Sequence, residues 1–403
     1  MKIPDYIIRP TYLDRIMPYI QKDIIKIIVG QRRVGKSYLL FQLMDKISEL
    51  DPDGQQIYIN KELHEFADVR NSEDLLGYIK IHRHAGRYLY LFIDELQDID
   101  GFETALRSLQ AEGDVDIYGT GSNAKLLSGE LATYLSGRYI EIKVYGLNYN
   151  EFLTFHGLEK GNESLQKYLK FGGLPYLRHL TLNDTIIFDY LRNVTDAILL
   201  KDIVSRYDIR NVSFLQRLAR SLADNVGNLV TARKISDYLK AQKVKISHNL
   251  VIDYLTYLSN ALLVLPARRF DIIGKKIFEI GEKYYFEDLG IRHALVGFRS
   301  SDINRILENV IFTHLKTAGL DVTVGQIGKL EVDFICEKGN ERFYVQAAYM
   351  ITDEKVRERE FGNLLAIPDN FPKKVVSMDA ITGGSYKGIE HGSIEDFLLS
   401  LSR

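Results

Sequence analysis

Residues 30–37 read Gly30-Gln31-Arg32-Arg33-Val34-Gly35-Lys36-Ser37, the complete G-x-x-x-x-G-K-[ST] spacing of a phosphate-binding loop. An apolar, β-branched run precedes it (Ile24-Ile25-Lys26-Ile27-Ile28-Val29), and Leu39, Leu40, Leu43, Met44 and Ile47 follow at helical spacing. This order predicts strand, glycine loop and helix start, in which backbone N–H groups and the helix dipole converge on a phosphate chain. Gly30 and Gly35 allow the close approach. Lys36 is placed to bridge the β- and γ-phosphates, and the Ser37 hydroxyl to hold Mg²⁺. The stretch from Gly30 to Tyr38 is therefore expected to contact a nucleoside triphosphate, with ATP and Mg²⁺ as the ligands.

Downstream, Tyr88-Leu89-Tyr90-Leu91-Phe92-Ile93 is nearly all apolar, as a parallel strand buried on both faces should be, and it ends in Asp94-Glu95. Two carboxylates after such a run need a partner, and a metal supplies one. Asp94 is assigned to Mg²⁺ through water and Glu95 to polarising an attacking water, a pairing that suits hydrolysis better than binding alone.

Short strands are also expected at residues 55–60, 116–120 and 139–144. With the intervening helical patterns they predict a doubly wound parallel sheet, with ligands at the carboxyl ends of its strands. The strand at 116–120 runs into Gly121-Ser122-Asn123, and either Ser122 or Asn123 is a candidate to face the γ-phosphate. Arg138, in Ser136-Gly137-Arg138, is either a finger toward a neighbouring subunit's γ-phosphate or a surface arginine at a strand start.

The chain of 403 residues has room for two to four domains, and its 26% charged residues are ordinary for a globular protein. Lys and Arg number 52 against 54 Asp and Glu, so any nucleic-acid contact must come from a local patch. One cysteine, Cys336, excludes an intrachain disulfide framework and a Cys-based zinc site. No apolar leader or membrane-length apolar run is evident, and a cytoplasmic location without a membrane partner is expected.

Four segments are expected: an ATPase core over 1–155, a helical lid over 156–205, a winged helix over 206–295 and an α/β domain over 296–403. Phe171-Gly172-Gly173-Leu174-Pro175 breaks the lid with a loop. In the winged helix, Thr231 and Ser247 are placed as helix caps, and strands at 262–266 and 276–280 suit a wing. The helix after Ser247 should expose His248, Asn249, Ile252, Asp253 and Thr256. It offers no Arg or Lys, so double-stranded DNA would be met through Lys240, Lys243 and Lys245 on the backbone, and a packing or weak backbone-binding role is favoured over base readout.

Residues 304–316, 321–324, 330–336 and 343–347 read as a helix and a three-stranded meander turning at Lys338-Gly339-Asn340. A strand at 375–378 and a helix at 394–401 close the domain. This is the layout of restriction-endonuclease-like nucleases, with Glu308 and Asp333 in two metal-binding positions. The third strand reads Gln346-Ala347-Ala348 where Glu-x-Lys is needed, and Lys355 is a candidate for a displaced lysine. The expectation is a nuclease-like fold kept for binding or assembly, with cleavage lost.

Taken in order, Gly30–Ser37, Asp94-Glu95-Leu96-Gln97, Thr120-Gly121-Ser122-Asn123, Glu130-Leu131-Ala132-Thr133, Gly137-Arg138, Gly172-Gly173-Leu174-Pro175, Lys201-Asp202-Ile203 and Glu331-Val332-Asp333-Phe334 resemble a family of prokaryotic AAA+-type ATPases. That family ends in a C-terminal domain of unknown function with a degenerate nuclease-like fold. The resemblance implies ATP hydrolysis with Lys36, Ser37, Asp94 and Glu95 in the roles above, Arg138 as a finger, and a homo-oligomer. It implies a molecular switch or motor associated with DNA, or a signalling or scaffold ATPase whose C-terminal domains bind protein.

Overall fold

The computed structural model describes residues 4–123, 135, 137–241, 246–277, 281–379 and 383–402. Lys243, Lys245, Ser136, the 130–133 motif and residues 278–280 lie outside the described residues. The chain divides into two compact units, Met1–Val144 and Tyr145–Arg403.

In the first unit, helix α1 (Pro10–Ile16) leads to β1 (Ile25–Val29), α2 (Lys36–Leu50), β2 (Gln55–Asn60), α3 (Ser72–His82), β3 (Leu89–Asp94), α4 (Phe102–Glu112), β4 (Val115–Gly121) and β5 (Tyr139–Lys143). Among the described residues these strands form one five-stranded sheet ordered β2-β3-β4-β1-β5, and every pairing is parallel. β1, β3 and β4 are buried along their whole length, and β1 and β3 accordingly read as nearly continuous apolar runs rather than alternations. Lys26 is the exception inside β1. Its ammonium pairs with Asp116 on β4, whose other oxygen accepts from Tyr118 Oη (2.7 Å) and Gln21 N–H (2.8 Å). A buried charge is tolerated there because it is paired and both carboxylate oxygens have hydrogen-bond partners.

Parallel pairing brings all five carboxyl ends to one edge. β4 lies between β3 and β1, so the chain leaving β4 runs between the loop after β1 and the carboxylates ending β3.

The second unit opens with helices at Tyr149–His156, Asn162–Phe171 and Asp184–Ala197, the last running into a π-helical turn at Ile198–Val204. Helices at Val212–Asp224, Ala232–Ala241 and His248–Asn260 follow, and β6 (Leu229–Val230), β7 (Val264–Ala267) and β10 (Glu282–Phe286) form a small antiparallel sheet beside them. Thr231 and Ser247 accept from Lys234 N–H and Leu250 N–H, as their sequence positions predict. The strand expected at 276–280 does not pair in this small sheet. Within the described residues Lys276–Ile277 is β9, joined to β8 (Arg269–Asp271), and β8 pairs in parallel with β11 (Asp321–Ile327). Its neighbour Ile272 packs with Val332, Ile335 and Phe361 in the core of the larger sheet.

That larger sheet follows the helix at Ile303–Thr317. It comprises β11, β12 (Leu330–Lys338), β13 (Glu341–Ala347), β14 (Lys373–Ser377), β15 (Gly384–Tyr386) and β16 (Ile389–Ser393), in the order β15-β16-β14-β13-β12-β11-β8-β9. β11, β12 and β13 form an antiparallel meander, and β14 lies parallel to β13 after the helix at Glu354–Leu365. The helix, meander and later strand fall where the sequence predicts them; the helix at 354–365 and the hairpin β15–β16 were not anticipated.

Two buried histidines in this unit are held neutral. Tyr149 N–H donates to His314 Nε2 (2.9 Å), so Nδ1 carries the proton and donates to Val310 O (2.8 Å). His293 Nδ1 faces Arg292 Nη1 at 3.1 Å and so must accept, leaving Nε2 to donate to Leu169 O. Burial pushes His314 down to about 4, and burial with the Arg292 charge pushes His293 down to about 3. The unfolded chain protonates both below about 6.5 while the folded chain does not, so their stabilisation is complete above that pH and is lost as pH falls toward 4. Each should contribute a slope of about 1.4 kcal/mol per pH unit once below 6.5. The Asp288 carboxyl, which burial pushes up to about 6, gains a proton in the folded chain and offsets part of this below pH 6. Urea unfolding at pH 7.5, 6.5 and 5.5 should show the decline; a flat profile would mean both rings are charged in the folded protein.

Candidate active site

The loop after β1 closes tightly. Its backbone turns through the left-handed region at Arg33 (φ 73°) and Gly35 (φ 94°), the second of which starts α2. A Cβ on Gly30 would meet Val144 O at 2.4 Å, so only glycine fits there. Val34 is buried beneath the loop, whereas Arg33 and Tyr38 are exposed. Arg32 pairs with Glu62 at 3.2 Å. The Lys36 ammonium, buried at 5% exposure, donates to Gly30 O (3.0 Å) and Gln31 O (3.2 Å) and lies 3.7 Å from Glu95 Oε1.

Across the β4 gap stand the carboxylates. Asp94 accepts from Thr120 Oγ1 (2.5 Å), from Tyr58 Oη (3.2 Å) and from the Ser37 hydroxyl. Burial still pushes its carboxyl above the ordinary range, against the lowering by Ser37 and Thr120. Glu95 sits at φ 64°, a left-handed conformation costly for a side chain with a Cβ, and its N–H donates to Thr120 Oγ1 at 3.0 Å. Burial opposes its charge, but Lys36, the Gln97 amide and Arg32 outweigh burial and hold it below the usual range.

Thr120 is the residue that the sequence reading missed. One hydroxyl donates to Asp94 and accepts from Glu95, so it sets the separation and aim of both groups. Its local signal was slight, one of two polar residues with Asp116 in a buried strand. Of the two residues proposed beyond it, both are buried, and the Ser122 hydroxyl has no well-formed hydrogen bond among the described residues. Arg9 was missed as well: it is buried, donates from Nη1 to Val34 O (2.9 Å) and braces the loop from the segment before α1.

Arg138 stands apart from these groups. It is exposed just before β5, where Tyr139 pairs with Ile25, four residues before Val29. At the rise of a strand that is about 13 Å from the loop's end of the sheet, on the opposite edge.

The residues present fit a nucleotide's phosphates with Mg²⁺. A buried ammonium, a hydroxyl meeting a carboxylate and the buried Ser122 hydroxyl beside Glu95 converge at one edge. Among the described residues no three His, Cys, Asp or Glu side chains are grouped to hold a metal by themselves. Mg²⁺ sites commonly use one or two protein ligands and complete the shell with phosphates and water.

Residues 22–153 match the AAA domain family, and residues 162–302 match a domain of unknown function, DUF8612. An uncharacterized protein of Haemophilus influenzae is 36% identical over 399 residues, 97% of this chain and 98% of the relative. An uncharacterized protein of Methanocaldococcus jannaschii is 33% identical over 351 residues, 83% of this chain and 77% of the relative. Among solved structures, the Aeropyrum pernix Orc1 protein in complex with DNA is 12% identical with a TM-score of 0.34, covering 73% of this chain and 93% of that one. AMPPCP-bound DnaA from Aquifex aeolicus is 15% identical with a TM-score of 0.30, covering 63% and 89%. Scores this low carry no argument about function. No helix among the described residues is long and apolar enough to cross a membrane.

Proposed function

We propose, since the chain belongs to the family of its Haemophilus influenzae and Methanocaldococcus jannaschii relatives and carries an AAA domain, that it binds and hydrolyses ATP and works as a switch or motor. The observation that carries this reading is the convergence of Lys36, Ser37, Asp94, Glu95 and Ser122 at the carboxyl edge of one parallel sheet.

The loop amides and the Lys36 ammonium bind and orient the phosphates. Ser37 and Asp94 would hold Mg²⁺, which neutralises phosphate charge when bound. Glu95, kept ionised by Lys36, orients the attacking water and accepts its proton. Thr120 fixes the positions of Asp94 and Glu95, and Ser122 donates to the γ-phosphate. Arg138, on the far edge from its own loop, acts as a finger only toward another copy, which makes the active form a homo-oligomer.

For the partner, residues 206–276 hold 13 Lys and Arg against 5 Asp and Glu, a net charge of +8 in a chain whose total is −2. Arg210, Arg217, Arg220, Arg233, Lys234, Lys240 and Arg268 are exposed. A basic segment of this kind favours the backbone of double-stranded DNA, met by a winged helix made of the three helices and the small sheet. The pairing of β8 with β11 favours the second reading, a scaffold ATPase binding protein, because it engages the wing's tip.

ATP turnover with and without double-stranded DNA, at low and physiological salt, separates the two. The DNA reading expects stimulation of several-fold at low salt that shrinks as salt rises. Turnover indifferent to DNA at both salts would leave the scaffold reading.

A further inference from the structure

The second unit gathers the two carboxylates that the sequence reading assigned to a metal, Glu308 and Asp333, with a third, Glu331. Glu308 comes from the helix at Ile303–Thr317, and Glu331 and Asp333 come from β12. A side chain outside that pattern reaches into this group. Lys283, on β10 of the small sheet, is 3% exposed, and its Nζ lies 2.8 Å from Glu308 Oε1 and 2.7 Å from Glu331 Oε1. Tyr285, two residues on and on the same face of β10, donates its hydroxyl to Glu308 Oε1. On the other side, the position of a Cβ on Gly227 (φ +73°) is 3.1 Å from Glu308 Oε2, so the turn before β6 closes over the carboxylate.

The remaining members of the motif are turned to other uses. Asp333 Oδ2 accepts from Ala347 N–H at 2.9 Å. Gln346 spends its oxygen on Asp333 N–H (3.3 Å) and its amide on Glu360 (3.3 Å). Lys355 is exposed on the helix at Glu354–Leu365. Against the Glu-x-Lys pattern, Gln346 lacks a negative charge and Ala348 a positive one, and the ammonium beside Glu308 comes instead from Lys283 on β10.

We propose that Lys283 is a built-in cation filling a carboxylate site of the kind that otherwise takes a divalent metal, and that it ties β10, the Ile303–Thr317 helix and β12 together without one. The inference rests on reading Glu308 and Asp333 as former metal ligands. An ammonium fixed to the backbone is present at any metal concentration. Its removal leaves buried carboxylates without a counter-charge, the condition under which hard cations with oxygen ligands are recruited.

The test titrates Mn²⁺ into the nucleotide-free full chain by calorimetry. Wild type should show no saturable site that Glu308→Gln removes. Lys283→Ala should gain one, at least about tenfold tighter than any wild-type binding, and the double variant Lys283→Ala/Glu308→Gln should lose it. Lys283→Arg, which keeps the charge, should behave as wild type. A wild-type site abolished by Glu308→Gln overturns the proposal, and so does a folded Lys283→Ala that takes up no Mn²⁺. Should Lys283→Ala fail to fold alone, Mn²⁺ must restore folding, and failure to do so also overturns it. Nicking of supercoiled plasmid by Mn²⁺-loaded Lys283→Ala reports separately on the nuclease-like reading: Mn²⁺ uptake without nicking supports the plug and sinks only that reading.

Discussion

Lys36→Ala lowers ATP turnover by at least about two to three orders of magnitude and weakens ATP binding with it. The ammonium is buried at the loop, and its bonds to Gly30 O and Gln31 O hold it where phosphate oxygens would arrive. Alanine removes that charge and also the partner 3.7 Å from Glu95, so the carboxylate loses the main influence opposing its burial. Lys36→Arg should fail almost as badly, because a planar guanidinium cannot enter a space closed by two carbonyls. Phosphate release and titration of a fluorescent ATP analogue measure the two effects. Turnover within threefold of wild type would remove Lys36 from the mechanism.

Glu95→Gln separates binding from hydrolysis. Its backbone N–H still donates to Thr120, and glutamine has nearly the same volume, so ATP affinity should stay within a few-fold of wild type. Turnover should fall about 10²- to 10⁴-fold, the usual contribution of a positioned general base. The variant therefore accumulates its ATP-bound state, visible as retained radiolabelled ATP after gel filtration. Undiminished turnover would mean that another group takes the water's proton.

These effects were legible in the sequence because phosphate binding requires contiguous residues: a loop of fixed length, then lysine and serine on the first turn of a helix. The Asp94-Glu95 pair was legible because a parallel strand buried on both faces has an unmistakable apolar run. Thr120 was not, since its importance lies in the strand order that places β4 between β1 and β3, which no local pattern encodes. Arg9 was hidden for the same reason, its partner Val34 lying 25 residues away. In the second unit the meander and its preceding helix were readable from alternation and period. The three-residue strand Arg269-Phe270-Asp271 was not, because a segment so short takes its structure from the edge it joins. Nothing in the sequence around Lys283 marks it, because only the fold of β10 brings it to Glu308.

The joining of β8 to β11 also sets a timetable for synthesis. The segment that forms β8 leaves the ribosome about 56 residues before Ile327 completes its partner strand. At 5–20 residues per second that is a wait of roughly 3 to 11 s. Throughout it, Ile272 has no core to enter, and the open backbone edge is free to pair with another nascent chain. A gene truncated between the two strands makes that interval permanent, so fragments ending near residue 300 should collect in the insoluble fraction while the full chain does not.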